Sequence, residues 1–171
     1  MMEQQVELVL HLLTDANRLV MRVALHTGLR VSDVLQLRTA QLKHNFWVTE
    51  QKTQKRRQVG IPSPLLEDLR AQAGPVWVFE GADPRNHRTR QAVWRDVKRA
   101  SKACRIPQNV GPHSARKIYA VELMERYGEL ERVQRALNHE DPETTMIYAM
   151  ADKLLRQKNR KRRAKPGRRA T

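Results

Sequence analysis

Six residues of this chain carry side chains suited to chemistry at a phosphate ester. Arg30 lies in HTGLRVSD, Lys52 in EQKTQKRR, His113 and Arg116 in GPHSARK, and His139 and Tyr148 in LNHEDPETTMIY. A guanidinium stays charged at any relevant pH and grips phosphate in a bidentate fork. Imidazole titrates near neutrality and moves protons. A lysine ammonium can release a proton when neighbouring cations lower its pKa. A phenol, with an unperturbed pKa of about 10, becomes a nucleophile where cations favour phenolate. Each residue also has a mundane reading taken singly. Arg30 fits a surface arginine, His113 and Arg116 polar residues at a helix start, His139 a helix cap, and Tyr148 a half-buried packing residue. Lys55, three residues after Lys52, could serve in its place.

Composition bounds what such residues can belong to. The 171 residues suffice for one sizeable domain with a core of its own. Apolar residues make up 40%, which excludes a chain too polar to fold. The formal net charge of +15 implies a polyanionic partner, with nucleic acid the first candidate, although RNA-binding and ribosomal proteins share this balance. The single cysteine, Cys104, allows no intramolecular disulfide and no cysteine-based metal site; its apolar position suits a small core residue. The first ten residues, MMEQQVELVL, do not read as a secretory signal, and no stretch approaches the ~18 to 20 apolar residues of a membrane span. A cytoplasmic protein is the expectation.

The elements that must position the six residues are mostly helical. Val6, Val9, Leu10 and Leu13 recur at helical spacing. Thr14 or Asp15 caps a second helix that runs through Leu25 and stops at Gly28, and Ser32 caps a short helix, SDVLQL. Two β-prone runs, Phe46 to Thr49 and Gln58 to Ile61, flank a basic turn. They predict a hairpin with Lys52, Lys55, Arg56 and Arg57 at or near its tip. Ser63 followed by Pro64 opens a helix to about Ala73, and VWVF, from Val76 to Phe79, reads as a short strand. GADPRNHRT is a loop. Helices follow over Thr89 to Cys104, Ser114 to Tyr127 and Leu130 to Leu137, and Asp141 with Pro142 starts the helix that carries Tyr148. From Lys153 onward ten of nineteen residues are Lys or Arg and none is acidic, which separates a basic tail, 153–171, from a globular part, 1–152. The fold class is α+β, mainly α-helical with a small antiparallel hairpin. There is no internal repeat.

Four motifs stand in a fixed order: TGLR at Thr27 to Arg30, the helix SDVLQL after it, HSAR at His113 to Arg116, and LNHEDPETTMIY at Leu137 to Tyr148. This order resembles the tyrosine recombinase family, the phage-integrase type, from about Val6 to Tyr148. The resemblance implies the catalytic fold of that family and metal-free cutting and rejoining of double-stranded DNA through a 3′-phosphotyrosyl bond, with no cofactor. By the same resemblance Tyr148 is the nucleophile, and Arg30 and Arg116 clamp the non-bridging oxygens. His113 takes the phenolic proton, Lys52 in the hairpin protonates the leaving 5′ oxygen, and His139 bonds a non-bridging oxygen. A phenol leaves more readily than a sugar alcohol, so the covalent bond stores the energy of the cut. The family works as a tetramer on DNA, and the segment after the tyrosine packs on a neighbouring protomer, a role the tail 151–171 can fill.

Two positions depart from the family pattern. Asn138 replaces a usual glycine and tolerates the left-handed turn, and Asp33 stands where glutamate is common and is expected to brace Arg30. Only some 29 residues precede Arg30, too few for the helical clamp domain of typical members. That suits a fragment or one of the short members, such as those that invert fimbrial promoters. Two other activities fit the same residues less fully. One is a basic DNA-binding regulator that no longer recombines. The other is a type IB topoisomerase, which usually has lysine in place of the histidine of HSAR. Lys55, Arg56, Arg57, Arg85, His87, Arg88 and Arg90 are further candidates for phosphate contacts.

Overall fold

A computed structural model of the protein describes residues 3–107 and 110–137. His139, Tyr148, the helix expected after Asp141 and the basic tail lie outside them. The chain divides into two compact units, Met1–Tyr119 and Ala120–Thr171.

In the first unit α1 (Glu3–His11) leads into α2 (Asp15–Thr27), a helix whose Val20, Val23 and Ala24 are fully buried. Next come α3 (Val31–Leu35), a single 3-10 turn at Thr39–Gln41, and a hairpin of β1 (Asn45–Thr49) and β2 (Arg56–Gly60). Helices α4 (Ser63–Gln72) and α5 (Arg90–Ala103) follow, and α6 (His113–Tyr127) begins in this unit. Helix α2 is central because its apolar residues leave it on several sides: it packs on α1, α3, α4 and α5. Its partners contribute Leu35, Leu65, Leu66, Leu69, Val93, Val97 and Ala100, all nearly or wholly buried. Each such Leu or Val side chain contributes about 1.5–3 kcal/mol by leaving water. The second unit holds α7 (Leu130–Leu137), whose Val133 and Leu137 are buried, and Arg132 stacks over the Tyr127 ring at 3.8 Å.

One polar contact fixes the angle between α2 and α5. Asp96 Oδ2 accepts hydrogen bonds from the Thr14 N–H at 3.0 Å, Thr14 Oγ1 at 3.0 Å and Asn17 Nδ2 at 2.7 Å. Its other oxygen takes Arg99 at 2.6 Å. Burial alone would raise this carboxyl, but the four donors outweigh it and hold it down at about 2. Asp96 thus acts as a cap for α2 supplied from another helix, at the end where the helix dipole favours negative charge.

Several sequence expectations need correction. Thr14 is the N-cap of α2, but its hydroxyl bonds Asp96 rather than its own helix. Ser32 does not cap α3; Arg30 does, with extended backbone (φ −68°, ψ 145°), and Ser32 lies inside the helix. Pro62, not Ser63, is the N-cap of α4. Thr89 does cap α5, accepting the Ala92 N–H at 3.2 Å. The segment VWVF forms no strand; it makes only the bridge Arg38–Trp77, close to a second bridge, Glu80–His87. Its partner, Leu37 to Thr39, turns at once into the 3-10 turn, so the pairing stops at the bonds of Thr39 N–H to Val76 O and Val78 N–H to Leu37 O. The hairpin forms as expected, with Lys52 and Lys55 in the turn and Arg56 and Arg57 opening β2 beside it.

Candidate active site

The site begins where α2 ends. Thr27 Oγ1 caps back to the Val23 carbonyl at 2.7 Å, and the Leu29 N–H donates to the same hydroxyl at 3.2 Å. Gly28 turns into the left-handed region (φ +65°) and donates its N–H to Ala24 O. A Cβ at Gly28 would lie 2.2 Å from Tyr119 Cδ1, so the position needs glycine for space as well as for conformation. Leu29, fully buried, anchors the turn. Arg30 is then presented at the junction of two helices, its carbonyl already accepting the N–H groups of Asp33 and Val34.

The Arg30 side chain, 16% exposed, donates from Nη1 to Glu50 Oε2. Glu50 is wholly buried at the end of β1. Its second oxygen lies 3.2 Å from Arg57 Nε, and Arg57 Nη2 donates to the Thr27 carbonyl at 2.8 Å. Asp33, expected to brace Arg30, acts on it through charge alone. The bond to Arg30 comes from Glu50, while buried Asp33 accepts the Gln51 N–H at 3.0 Å and so holds the hairpin turn against α3. Burial, and then Glu50, raise Asp33, against the lowering effects of the Gln51 bond, Arg30 and Arg116. Arg57, expected as a phosphate contact at the tip, instead points inward.

Arg116 enters one helical turn after His113. It is buried, and Nη1 donates to the carbonyl oxygen of Gly28 at 2.5 Å. Burial and then the neighbouring charge of Arg30 lower it to about 10, with Arg57 adding and Glu50 and Asp33 opposing. It remains a cation at neutral pH. A dianionic transition state placed beside Arg30 and Arg116 would be stabilised by both charges. His113 stands at the exposed first turn of α6. Loss of hydration and then Arg90, Arg116, Lys117 and Arg30 hold it below its ordinary 6.5. It is therefore a neutral imidazole at pH 7, the form that accepts a proton.

Lys52 and Lys55 are both exposed on the turn between the strands. That turn is closed by Glu50 N–H to Lys55 O at 3.0 Å and Gln54 N–H to Glu50 O at 2.8 Å, with Gln54 left-handed (φ 53°). Arg30, His113 and Arg116 come within electrostatic reach of one another, and Lys52 rides on the turn that Glu50 anchors. Other candidates for phosphate contact have local partners. Arg85 pairs with Asp83 at 2.8 Å, and His87 packs edge-on against Trp77 and bonds the Arg88 carbonyl. Glu50 was not among the expected site residues, and Arg57 was expected only as a candidate phosphate contact at or near the hairpin tip. The signal for both was the two-residue alternation of strands. Phe46 and Val48 face inward and Glu50 continues that set; Arg57 continues Val59 and pairs across from Val48. Among the described residues no cluster of three His, Cys, Asp or Glu could hold a metal.

Comparison with known proteins settles the family. The model of the phage integrase family matches residues 1–154. This chain belongs to the phage integrase family. It is 29% identical to the probable integrase/recombinase YoeC of Bacillus subtilis over 134 residues, covering 75% of this chain and 74% of that one. It is 33% identical to the tyrosine recombinase XerD of Lacticaseibacillus casei over 147 residues, covering 77% of this chain and 49% of XerD. This phage integrase family chain thus spans about half the length of that relative. Among solved structures it resembles XerH site-specific recombinase bound to palindromic difH substrate in a post-cleavage complex. The TM-score is 0.73 and the identity 21%, over 93% of this chain and 51% of that one. The fold is that of tyrosine recombinases, mostly helical with a two-stranded antiparallel sheet.

Proposed function

We propose that this chain is a site-specific DNA recombinase, or the catalytic part of one, that cuts and rejoins double-stranded DNA through Tyr148. The observation that carries the proposal is the meeting of two arginines at the end of α2: Arg30 bonds Glu50, buried Arg116 donates to the Gly28 carbonyl, and the two cations lie close enough for the charge of Arg30 to act on Arg116. In this reading they take the non-bridging oxygens of the scissile phosphate, as bidentate groups do. The Tyr148 oxygen attacks phosphorus in line, the P–O5′ bond breaks, and a 3′-phosphotyrosyl bond forms. The phenolic proton passes to neutral His113. The leaving 5′ oxygen takes a proton from Lys52, and His139 donates a hydrogen bond to a non-bridging oxygen. A 5′-hydroxyl attacking the phosphotyrosyl bond reverses the sequence and rejoins the strand without ATP. Assembly into a tetramer on DNA, action at the nucleoid, and a division between a catalytic part, 1–152, and a basic tail, 153–171, complete the reading.

The test is a covalent-trap and relaxation assay on supercoiled plasmid in EDTA at low salt, with Tyr148→Phe beside the wild type. The expected result is SDS-stable DNA adducts or relaxation by wild type and neither by the variant. DNA binding without cleavage by both would replace enzyme with binding module.

A further inference from the structure

We propose that Glu50 is a positioning residue that sets Arg30 and the Lys52 turn in register; this rests on the recombinase reading above. A wholly buried carboxylate is costly unless it is paired. Here each oxygen has its own cation: Oε2 takes Arg30 Nη1, and Oε1 lies 3.2 Å from Arg57 Nε. Thr53 Oγ1 adds a 3.4 Å contact to Oε2 from the turn itself. The main chain of the same residue closes that turn. Its N–H donates to Lys55 O, and its carbonyl accepts from Gln54 N–H. Glu50 is thus bonded through its side chain to the arginine after α2 and through its backbone to Gln54 and Lys55, which close the turn that carries Lys52. A displacement of the arginine or of the turn is transmitted to the other through one wholly buried residue.

The bond to Glu50 uses one N–H of Arg30 and fixes the plane of a guanidinium that has further donors for phosphate. It also places a negative charge close to where DNA phosphate would bind. The charge opposes ground-state binding, while the fixed plane favours the transition state. These two effects have opposite signs in an assay, which separates positioning from general support of the fold.

Glu50→Gln in the full chain keeps the shape and removes the charge. On supercoiled plasmid the expected result is DNA affinity equal to or tighter than wild type, with single-turnover adduct formation slower by about 10- to 100-fold, the range for groups that orient a primary ligand. A variant that is merely unstable would lose both. Glu50→Gln combined with Arg57→Met removes the buried pair together and guards against a folding failure; the cleavage defect is expected to persist. Restoration of the wild-type rate in the double variant would overturn the proposal, because Glu50 would then serve only to neutralise Arg57. A second readout does not depend on cleavage. In nitrogen-15 spectra of the uncut protein, assigned with Arg30→Lys, the Arg30 Nη signals should show hindered rotation in wild type and averaged rotation in Glu50→Gln. Hindered rotation in both would also overturn the proposal. If wild type forms no adduct, the recombination reading falls, and the spectra still decide whether Glu50 holds Arg30.

Discussion

Arg116 donates from Nη1 to the carbonyl oxygen of Gly28, 2.5 Å away and 88 residues earlier in the chain. The two motifs TGLR and HSAR are therefore one structural unit. Gly28 can be contacted in this way because its left-handed turn aims the carbonyl out of α2, and because Tyr119, one turn after Ala115, fills the space where a side chain would be.

Gly28→Ala should accordingly be severe. A left-handed alanine costs about 1–2 kcal/mol, and the contact with the Tyr119 ring adds a similar overpacking cost. Urea denaturation should show a loss of about 2–4 kcal/mol. A loss below about 1 kcal/mol would mean that the turn relaxes freely.

Neighbouring arginines on β2 should behave oppositely. Arg57 shares buried Glu50 with Arg30, and its removal takes the cation from one carboxylate oxygen and the donor from the Thr27 carbonyl, so Arg57→Ala should destabilise by about 1–3 kcal/mol. Arg56 is exposed over the Trp47 ring at 5.4 Å, so Arg56→Ala should change stability by less than about 1 kcal/mol. If Arg56 instead touches phosphate, the salt dependence of plasmid binding should become shallower in that variant. Equal thermal shifts for the two variants would contradict the inward placement of Arg57.

His113 is held below 6.5, first by lost hydration and then by Arg90, Arg116, Lys117 and Arg30. A base must be unprotonated to act, so the lowered pKa extends its working range downward. The acid limb of adduct formation should have its midpoint below pH 6.5. His113→Gln should abolish that acid limb along with most of the rate. An acid limb lying above pH 6.5 in wild type would exclude His113 as the acceptor.

Asp96 ties α2 to α5 and titrates at about 2 in the folded chain, below the 3.8 of an unperturbed carboxyl. The unfolded state thus binds the proton more readily. The stabilisation is complete above about pH 4 and is lost as the pH falls towards 2. Asp96→Asn should cost about 1–3 kcal/mol at pH 7 and show a smaller further loss over that acid interval. Parallel stability curves for the two proteins between pH 5 and 2 would refute the assignment.

Much of this architecture was legible in the chain. Helical spacing of Val93, Val97 and Ala100 placed α5, and Gly28 marked the end of α2, because both depend on contacts within a few residues. Arg30, Lys52, His113, Arg116, His139 and Tyr148 were legible as a set through the resemblance of their motifs to the family; of these, Arg30, His113 and Arg116 come within electrostatic reach of one another, and His139 and Tyr148 lie outside the described residues. The partners of the arginines were not legible. That Arg30 bonds Glu50 rather than Asp33, that Arg57 turns inward while Arg56 turns out, and that Asp96 caps a helix 82 residues away depend on how separate elements pack. Local propensity and motif spacing carry no information about which buried charges will meet. That choice falls to the tertiary structure, because only the packed interior makes an unpaired charge expensive enough to dictate its partner.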